Sequence, residues 1–360
     1  MACNLYEPAA NVCGPSRNWP PQAPWPRLRE TRNEEDAQMR RMPLTLLTVL
    51  ALLAVLATAA AAQDYPTKPV RLIVAFPPGG SNDVVARIVT TPLGERLGKQ
   101  VVIDNRGGAG GVLGSEVAAG SPPDGYTLLL VSIAHTVNPW LYKLKYDPIK
   151  SFVPVAMLAS GANVLTVHPS VPVNSVQELI ALAKQKPGEL NYASAGSGSF
   201  QHLGTELFKL MAGVDIVHVP FKGGGPAMID VIGGHSQLLV SSLIQTVPHV
   251  RSGKLKALAT GGAKRSAILP DIPTIAEAGV PGYEMNNWWG IVAPAGTPQP
   301  IIDKLVKEVD AVLASEETQK LFAADGAEVV RKSPAEFAAF FAAELAKWER
   351  VVKDAKIKAE

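Results

Sequence analysis

The sequence predicts an α/β protein in which parallel β-sheets carry helices on both faces. From residue 65 onward, short apolar runs typical of buried strands alternate with segments whose apolar residues recur at helical spacing. Four junctions between a strand and the following helix are rich in glycine and uncharged polar residues, and in open α/β sheets ligands bind at such junctions. With 360 residues, the chain has room for two domains of roughly 100–200 residues each.

The elements of the first half follow from apolar runs and their periodicity. VRLIVAF reads as a buried strand, and residues 82–97 place apolar side chains at helical spacing, although Pro92 is expected to bend that helix. Further strands are predicted in VVID, YTLLLVS, VPVAMLAS and NVLTVHP, and a short helix follows the glycine-rich stretch NRGGAGG. The stretch from NPWLY to DPIKSF is predicted to be irregular.

A second series of strands and helices begins near residue 175. Ser175 is followed three positions later by Glu178, which predicts a capping box at the start of a helix over SVQELIALAKQKP. Strand, helix, strand, helix and strand are then predicted in LNYAS, GSFQHLGTELFKLMAG, DIVHVPF, GPAMIDVIGG and SQLLVSS. After EMNNWWGIVAP, helices are predicted over residues 298–315, 316–324 and 333–354.

The N-terminal region has the layout of an export leader. Two arginines precede an apolar run over residues 44–56, and the alanines at 60–62 supply a small-residue cleavage site. We therefore expect a signal peptide over residues 39–62 that is cleaved before Gln63. A membrane anchor is the alternative, because the apolar run is nearly long enough to span a bilayer.

Translation is expected to start at Met39 or Met42, because a signal peptide lies at the start of its chain, so residues 1–38 are expected to be upstream sequence or disordered. Cleavage would also remove the two cysteines, Cys3 and Cys13, and with them any disulfide, thiolate nucleophile or zinc–sulfur site.

The charges of the chain are nearly balanced. Lys and Arg number 34 against 32 Asp and Glu, a formal net charge of +2, which gives no case for nucleic-acid binding.

Motifs for nucleotide binding and covalent catalysis are missing from the sequence. GGAGGVLG does not match G-x-G-x-x-G, no G-x-x-x-x-G-K-[ST] occurs, and SAGSGS does not match G-x-S-x-G. The six histidines include no pair spaced i, i+4, which disfavours a metal site. His202, in the first turn of its predicted helix, reads as a packing or capping group rather than a general base. These missing patterns disfavour an enzyme that uses a nucleophile, a general base or a metal ion.

Four glycine-rich junctions are the candidate ligand contacts, namely FPPGGSND (76–83), SIAHTVNP (132–139), SAGSGSF (194–200) and FKGGGPA (221–227). A helix that begins there presents free N–H groups and a partial positive charge, which hold a carboxylate or phosphate without arginine. Each junction alone is better explained as a tight turn, and it is their number that favours a ligand site. Asp83 would compete with an anion, but Arg87 is placed to pair with it, so we hypothesise that Asp83 braces the loop.

Seven motifs follow one another along the chain, namely YPTKPVRLIVAFPPGGSNDVVAR, VVIDNRGGAGG, SPPDGYTLLL, HVPFKGGGPAM, SGKLKALAT, LPDIPTIAEAGVPGYE and WWGIVAPAGTP. Together they resemble the Bug/TctC family, the periplasmic receptors of tripartite tricarboxylate transporters, and the resemblance covers nearly everything from Tyr65 onward. It implies a two-lobed Venus-flytrap fold of the periplasmic-binding-protein type II class, each lobe a sheet flanked by helices. Lobe 1 is expected over residues 63–163 and 287–360, and lobe 2 over residues 164–286.

The resemblance also implies which residues contact a ligand held between the lobes. They are Phe76, Pro77, Gly79, Gly80, Ser81 and Asp83 after the first strand; Ser132, Thr136 and Asn138 at the end of the third strand; and Ser194, Gly196, Ser197, Gly198 and Ser199 in the second lobe. Ser241 is a further candidate, at a strand end where many members of the family resemble each other in carrying an acidic residue. This difference disfavours an amino acid as the ligand. Trp288 and Trp289 are expected to pack in the core or at the hinge.

The function implied is that of a monomeric periplasmic receptor without a cofactor. It would bind a small carboxylate, close, and deliver the ligand to the membrane permease of a tripartite tricarboxylate transporter. Two alternatives stay open. One is a ligand sensor that signals to a membrane partner, and the other is a secreted hydrolase or lyase on a similar scaffold, which the missing catalytic motifs disfavour.

Overall fold

Residues 65–354 and 357–358 are described by the computed structural model. The signal peptide expected over residues 39–62, the expected translation start and the stretch 1–38 lie outside the described residues. Within the described ranges, no helix combines the length and the apolar character needed to cross a bilayer.

Strands and helices alternate along most of the described chain. The strands are β1 (Val70–Val74), β2 (Val101–Asn105), β3 (Thr127–Ser132), β4 (Phe152–Val167), β5 (Asn191–Ser194), β6 (Val217–Pro220), β7 (Leu238–Ser242), β8 (Lys256–Thr260), β9 (Asn286–Pro294) and β10 (Ala327–Lys332). The helices are α1 (Ser81–Leu97), α2 (Val112–Ala119), α3 (Ile133–Leu141), α4 (Val176–Gln185), α5 (Phe200–Ala212), α6 (Gly224–Ile232), α7 (Leu243–Arg251), α8 (Gln299–Ala314), α9 (Glu316–Ala324) and α10 (Pro334–Asp354).

The strands pair in the order β2-β1-β3-β9-β4-β7-β5-β6, with β10 and β8 also paired to β4. β1 is parallel to β2 and β3, and β5 is parallel to β6 and β7. The central pairs β3–β9, β9–β4 and β4–β7 are antiparallel. The predicted parallel pairing is therefore confirmed within a first group of strands, β1–β3, and within a second group, β5–β7. It is wrong for the central pairs that join the two groups. The reason is that β4 leads the chain out of the first group and β9 leads it back, so the two run side by side in opposite directions.

β4 joins the two groups of strands because it is a single strand of 16 residues. Its residues 152–162 pair with β9, and its residues 163–167 pair with β7. The sequence predicted two strands here, separated near Gly161. The strand continues because β10 lies alongside it: Ala327 pairs with Gly161, and a Cβ on Gly161 would lie 3.2 Å from the Gly326 carbonyl oxygen.

The predicted helices are largely confirmed, including the three at the C-terminal end. The capping box is present, since the Glu178 N–H donates to Ser175 Oγ at 3.1 Å, although the Glu178 carboxylate accepts from Asn174. Three elements were missed. The first is α3, which contains Pro139 and extends into the stretch predicted to be irregular. The other two are β8 and β10, where no strand was predicted. β10 buries only one of its six residues, so its apolar pattern is weak.

Two consecutive tryptophans of β9 pack on opposite faces of the first group of strands, because side chains alternate across a strand. Trp288 packs edge-on against three phenylalanines of α10, with ring centroids 5.4–6.0 Å apart. Trp289 is completely buried, and its Nε1 donates to Asn82 Oδ1 at 2.9 Å. The expected core role is confirmed, and Trp289 in addition fixes the start of α1.

Gly290, the next residue of β9, lies where α10 packs against the sheet. A Cβ at this position would lie 2.3 Å from Phe337 Cζ and 3.0 Å from the Ala156 carbonyl oxygen. We expect Gly290→Ala to lower the free energy of unfolding, measured in urea, by about 1–3 kcal/mol through overpacking. Gly120→Ala is the control, because a Cβ there meets its nearest atom at an ordinary 3.5 Å. Equal stability of the two variants would contradict this account of the packing.

Candidate ligand-binding cleft

A cleft lies where the first turns of α1, α3, α5 and α6 come together, and Asn287 of β9 completes its wall. The lining residues are Phe76, Gly80, Ser81, Asn82, Ser132, Ala134, Ala195, Phe200, Gln201, Gly224 and Asn287. Within the described part of the chain, none of these lining side chains is charged. Hydroxyls, amides, two phenylalanine rings and backbone groups form the wall.

Backbone N–H groups are the positive element of this cleft. The first N–H groups of a helix have no partner inside that helix, and together with the helix dipole they favour an anion. Gly80, Ser132 and Gly223 are the N-caps of α1, α3 and α6. In the described structure, none of these three caps accepts a hydrogen bond on its side chain from its own helix. Their first-turn N–H groups therefore remain available to a ligand.

The loop after β1 forms one wall, and the structure divides its predicted residues into two sets. Phe76, Gly80 and Ser81 line the cleft, whereas Pro77, Gly79 and Asp83 are not among the lining residues.

Asp83 is occupied by contacts within its own loop. Its carboxylate accepts hydrogen bonds from Arg87 Nε at 2.9 Å, the Gly79 N–H at 3.0 Å and Asn105 Nδ2 at 3.1 Å. Burial alone would raise the pKa of Asp83, but these hydrogen bonds outweigh it and hold the pKa below its usual value. The predicted pairing with Arg87 is therefore confirmed. Asp83 shapes the loop as an ionised carboxylate whose charge is balanced by Arg87.

Asn82 and Asn287 are lining residues that the sequence reasoning missed. Asn82 donates from Nδ2 to Ser132 Oγ at 3.2 Å and accepts from Trp289, so its amide is held in one orientation. Its position between Ser81 and Asp83 was the available signal. Asn287 lies far along the chain and reaches the cleft only because β9 returns to the first group of strands.

Two of the three residues predicted near the end of β3 do not line this cleft. Ser132 does, but Thr136 is buried and donates to the Ile133 carbonyl at 2.7 Å inside α3. Asn138 donates from Nδ2 to the Gly110 carbonyl at 3.1 Å, and among the described residues its buried Oδ1 has no hydrogen-bond partner. Asn138 lines a smaller cavity that shares Phe76 and Ser132 with the cleft.

The loop over residues 194–199 forms the facing wall. Ala195 and Phe200 line the cleft, whereas the predicted Ser194, Gly196, Ser197, Gly198 and Ser199 do not. Their polar groups instead hold the loop. Ser199 Oγ accepts from the His202 N–H at 3.3 Å, and His202 Nδ1 accepts from the Gly198 N–H at 3.1 Å. The prediction of His202 as a packing or capping group agrees with this geometry.

Ser241 lies beneath the cleft rather than in its wall. It is fully buried, and its Oγ donates to Gln245 Oε1 at 3.1 Å and lies 3.4 Å from Gln201 Nε2. Gln245 Nε2 donates to the Gly224 carbonyl at 2.8 Å. Ser241 therefore contacts the lining residue Gln201 directly and the lining residue Gly224 through Gln245. Neither lining residue was among the predicted ligand contacts, although Gly224 lies in FKGGGPA, one of the four predicted junctions.

The two walls approach each other closely. A Cβ on Gly80 would lie 3.7 Å from the Gly224 nitrogen, and a Cβ on Gly225 would lie 2.5 Å from the Pro78 carbonyl oxygen. The space between the two walls measures about 20 Å³, a volume suited to about one water molecule. A ligand of several carbon atoms can therefore enter only if the walls separate. Among the described residues, no cluster of His, Cys, Asp and Glu could hold a metal ion.

Comparison with known proteins identifies the family of this chain. Residues 85–357 match the family model described as "Tripartite tricarboxylate transporter family receptor". Protein BugT of Bordetella pertussis is 40% identical over 303 residues, which cover 83% of this chain and 93% of BugT.

Solved structures share the fold over most of the chain. A protein described as "R. palustris Rpa4515 with adipate" is 40% identical with a TM-score of 0.80, covering 82% of this chain and 100% of that one. Periplasmic binding protein BugD is 35% identical with a TM-score of 0.80 and the same coverage. MatC (Rpa3494) from Rhodopseudomonas palustris, with bound malate, is 34% identical with a TM-score of 0.77, covering 80% of this chain and 100% of MatC.

These likenesses confirm the predicted two-lobed α/β fold of periplasmic binding proteins. The motifs that resembled Bug/TctC receptors are matched by a family model over most of the described residues. The chain belongs to the tripartite tricarboxylate transporter receptor family of solute-binding proteins.

Proposed function

We propose that this chain is a periplasmic receptor that captures a small carboxylate in the cleft and delivers it to the permease of a tripartite tricarboxylate transporter. The observation that carries the proposal is a wall without charged side chains, built at the starts of four helices. Relatives whose structures were described with adipate and malate support a carboxylate as ligand. The site takes no cofactor, and the ligand leaves unchanged.

The cleft suits an anion that must be released again. Each helix N-terminus favours negative charge by roughly 0.3–1 kcal/mol at an exposed site, and by more when partly buried. Several N–H groups together hold a carboxylate without the tighter bidentate pairing that an arginine forms. Phe76 and Phe200 supply apolar surface for the carbon chain of the ligand.

The ligand carries no amino group in this proposal. An ammonium buried without a partner is strongly penalised, and Asp83, the acidic residue nearest in sequence to the lining set, is already paired with Arg87. Ser241 supplies a hydroxyl where relatives with an acidic residue would supply a carboxylate. A mono- or dicarboxylate is therefore preferred over aspartate or glutamate.

The walls separate about a hinge in the two strands that connect the lobes. We place lobe 1 over residues 63–163 and 287–360, and lobe 2 over residues 164–286. This division is supported by β4, whose pairing changes from β9 to β7 between Ala162 and Asn163. Closure is driven by a ligand only as far as the ligand prefers the closed state. The receptor acts as an exported monomer.

Native mass spectrometry of freshly purified protein tests the function, because a trapped ligand would identify itself by mass. Recovery of that ligand unchanged after long incubation is expected of a receptor, whereas conversion to product would indicate an enzyme. Deletion of the gene should abolish uptake of the same carboxylate. Intact uptake together with a lost response to the carboxylate would favour a sensor instead.

A thermal-shift screen of paired ligands tests the preference against amino groups. We expect succinate, glutarate, malate or adipate to raise the melting temperature, and aspartate and glutamate to leave it unchanged, since their ammonium would lack a partner. Stabilisation by the two amino acids but not by succinate or glutarate would contradict the assignment.

Ser241→Asp tests the same preference from the protein side. The introduced carboxylate would lie beside Gln201, so we expect affinity for a dicarboxylate to fall at least about tenfold, or ~1.4 kcal/mol, in a calorimetric titration. Ser241→Ala is the control, because it removes the hydroxyl without adding charge, and its affinity should fall less. Equal affinity of Ser241→Asp and Ser241→Ala would argue against electrostatic exclusion.

Gly225→Ala tests whether close approach of the walls is needed for binding. Gly225 lies inside α6, where alanine is intrinsically favoured over glycine, so the lobe should fold normally. The added Cβ would meet the Pro78 carbonyl only when the walls are together. We expect at least about tenfold weaker ligand binding and loss of ligand-induced compaction in small-angle scattering. Gly120→Ala is the control, and compaction of Gly225→Ala equal to that of the control would refute the requirement.

A further inference from the structure

A histidine outside the cleft wall determines the shape of the loop over residues 194–199. His202 is 5% exposed, and its Nδ1 accepts the hydrogen bond from the Gly198 backbone N–H at 3.1 Å. A backbone N–H can only donate, so Nδ1 carries no proton in this geometry and the neutral ring has its proton on Nε2. Gly198 adopts a φ of +79°, a conformation that glycine adopts readily.

A second histidine supports the other end of the same loop. His218 of β6 stacks on His202 with ring centroids 4.4 Å apart, and its Nε2 lies 2.6 Å from Ser194 Oγ. Ser194 Oγ in turn accepts from the Gly196 N–H at 3.0 Å. One stacked pair of rings therefore contacts the loop at both ends, through Gly198 and through Ser194.

Titratable and charged groups on β5 and α5 also surround this pair. Tyr192 stacks on His218 with ring centroids 4.8 Å apart and donates its hydroxyl to Glu206 at 2.7 Å. Glu206 is also paired with Lys209 at 2.7 Å. Burial first, and then the neighbouring His218, lower the pKa of His202 to about 4. Lys209 acts in the same direction, and Glu206 acts against them.

The opposite wall contacts the loop through another titratable group, since the Tyr142 hydroxyl donates to the Ser197 carbonyl at 3.0 Å. Ala195 within the loop and Phe200 directly after it line the cleft. A change in the loop would therefore move part of the ligand-binding wall.

We propose that His202 is a positioning residue for the ligand: its neutral ring holds residues 194–199 in the binding shape, and protonation of Nδ1 releases the Gly198 N–H and weakens binding. The proposal rests on the proposed function, because it concerns the same cleft.

The direction of the pH dependence follows from which form of His202 the bound state requires. Binding requires the neutral ring, because a protonated Nδ1 cannot accept the hydrogen bond from the Gly198 N–H. Affinity is therefore constant well above the His202 pKa of about 4. It falls as the pH approaches and passes that value, by at most about tenfold per pH unit for one proton.

Calorimetric titrations with adipate from pH 7.5 to pH 4 compare the natural chain with His202→Asn and His202→Phe. Asparagine Oδ1 replaces Nδ1 as acceptor and does not titrate, while phenylalanine keeps a stacking ring and has no acceptor. Adipate itself titrates over this range, so the quantity compared is the ratio of the Kd of each variant to that of the natural chain at equal pH. In that ratio the titration of adipate cancels.

We expect the natural chain to weaken relative to His202→Asn by about twofold between pH 7 and pH 4, where half of the His202 rings carry a second proton. His202→Phe should bind more weakly than both at pH 7.5, and its ratio to His202→Asn should not change with pH. A constant ratio between the natural chain and His202→Asn would overturn the proposal. Equal loss of affinity in both variants would also overturn it, because that result indicates a purely structural role.

Nuclear magnetic resonance without any ligand separates this proposal from the proposed function. The His202 ring nitrogens should report an unprotonated Nδ1 at pH 7, and exchange of the Gly198 amide, corrected for its intrinsic pH dependence, should accelerate as His202 titrates. A Gly198 amide that keeps its protection throughout that titration would overturn the proposal. Failure of adipate to bind at any pH would count against the proposed function and would leave this measurement decisive for His202.

Discussion

The site depends on one constraint, which is that backbone N–H groups at buried helix starts need hydrogen-bond partners. Three of the helices that meet at the cleft begin without a side-chain cap among the described residues, and two of those N-caps are the glycines Gly80 and Gly223. A buried donor left unsatisfied costs roughly 1–3 kcal/mol. A carboxylate offers about four lone-pair positions to such donors. The missing side-chain cap would destabilise an ordinary helix, but here it leaves the N–H groups of the first turn free to bind an anion.

Charged and polar side chains near the cleft serve the shape of its walls. Asp83 accepts hydrogen bonds from three residues around it, and Ser241 acts through Gln245 and Gln201. The result is a cleft whose positive potential comes from the backbone, while its side chains set distances and orientation. Such potential is preorganised, because peptide dipoles are held by whole helices and need no reorientation when charge arrives.

The sequence could predict the elements and the general place of the cleft, because apolar periodicity and glycine junctions are local signals. It could not predict which residues of a loop line the cleft. Ser194 and Ala195 are neighbours, yet the serine turns to His218 while the alanine lines the cleft. Asn287 gave no local signal, since only the return of β9 brings it there. β10 was missed because an edge strand with one buried residue shows little periodicity.

The continuous strand β4 also bears on the order in which the chain is expected to fold. Its pairing with β9 joins Phe152 to Pro294, so this ladder closes around the entire second group of strands. β5, β6, β7 and β8 are drawn from one contiguous stretch of chain. Contacts between residues distant in sequence carry a larger loop-closure entropy and form more slowly. We therefore expect the second group to organise before β9 docks, and competence to bind a ligand to appear only when folding is complete.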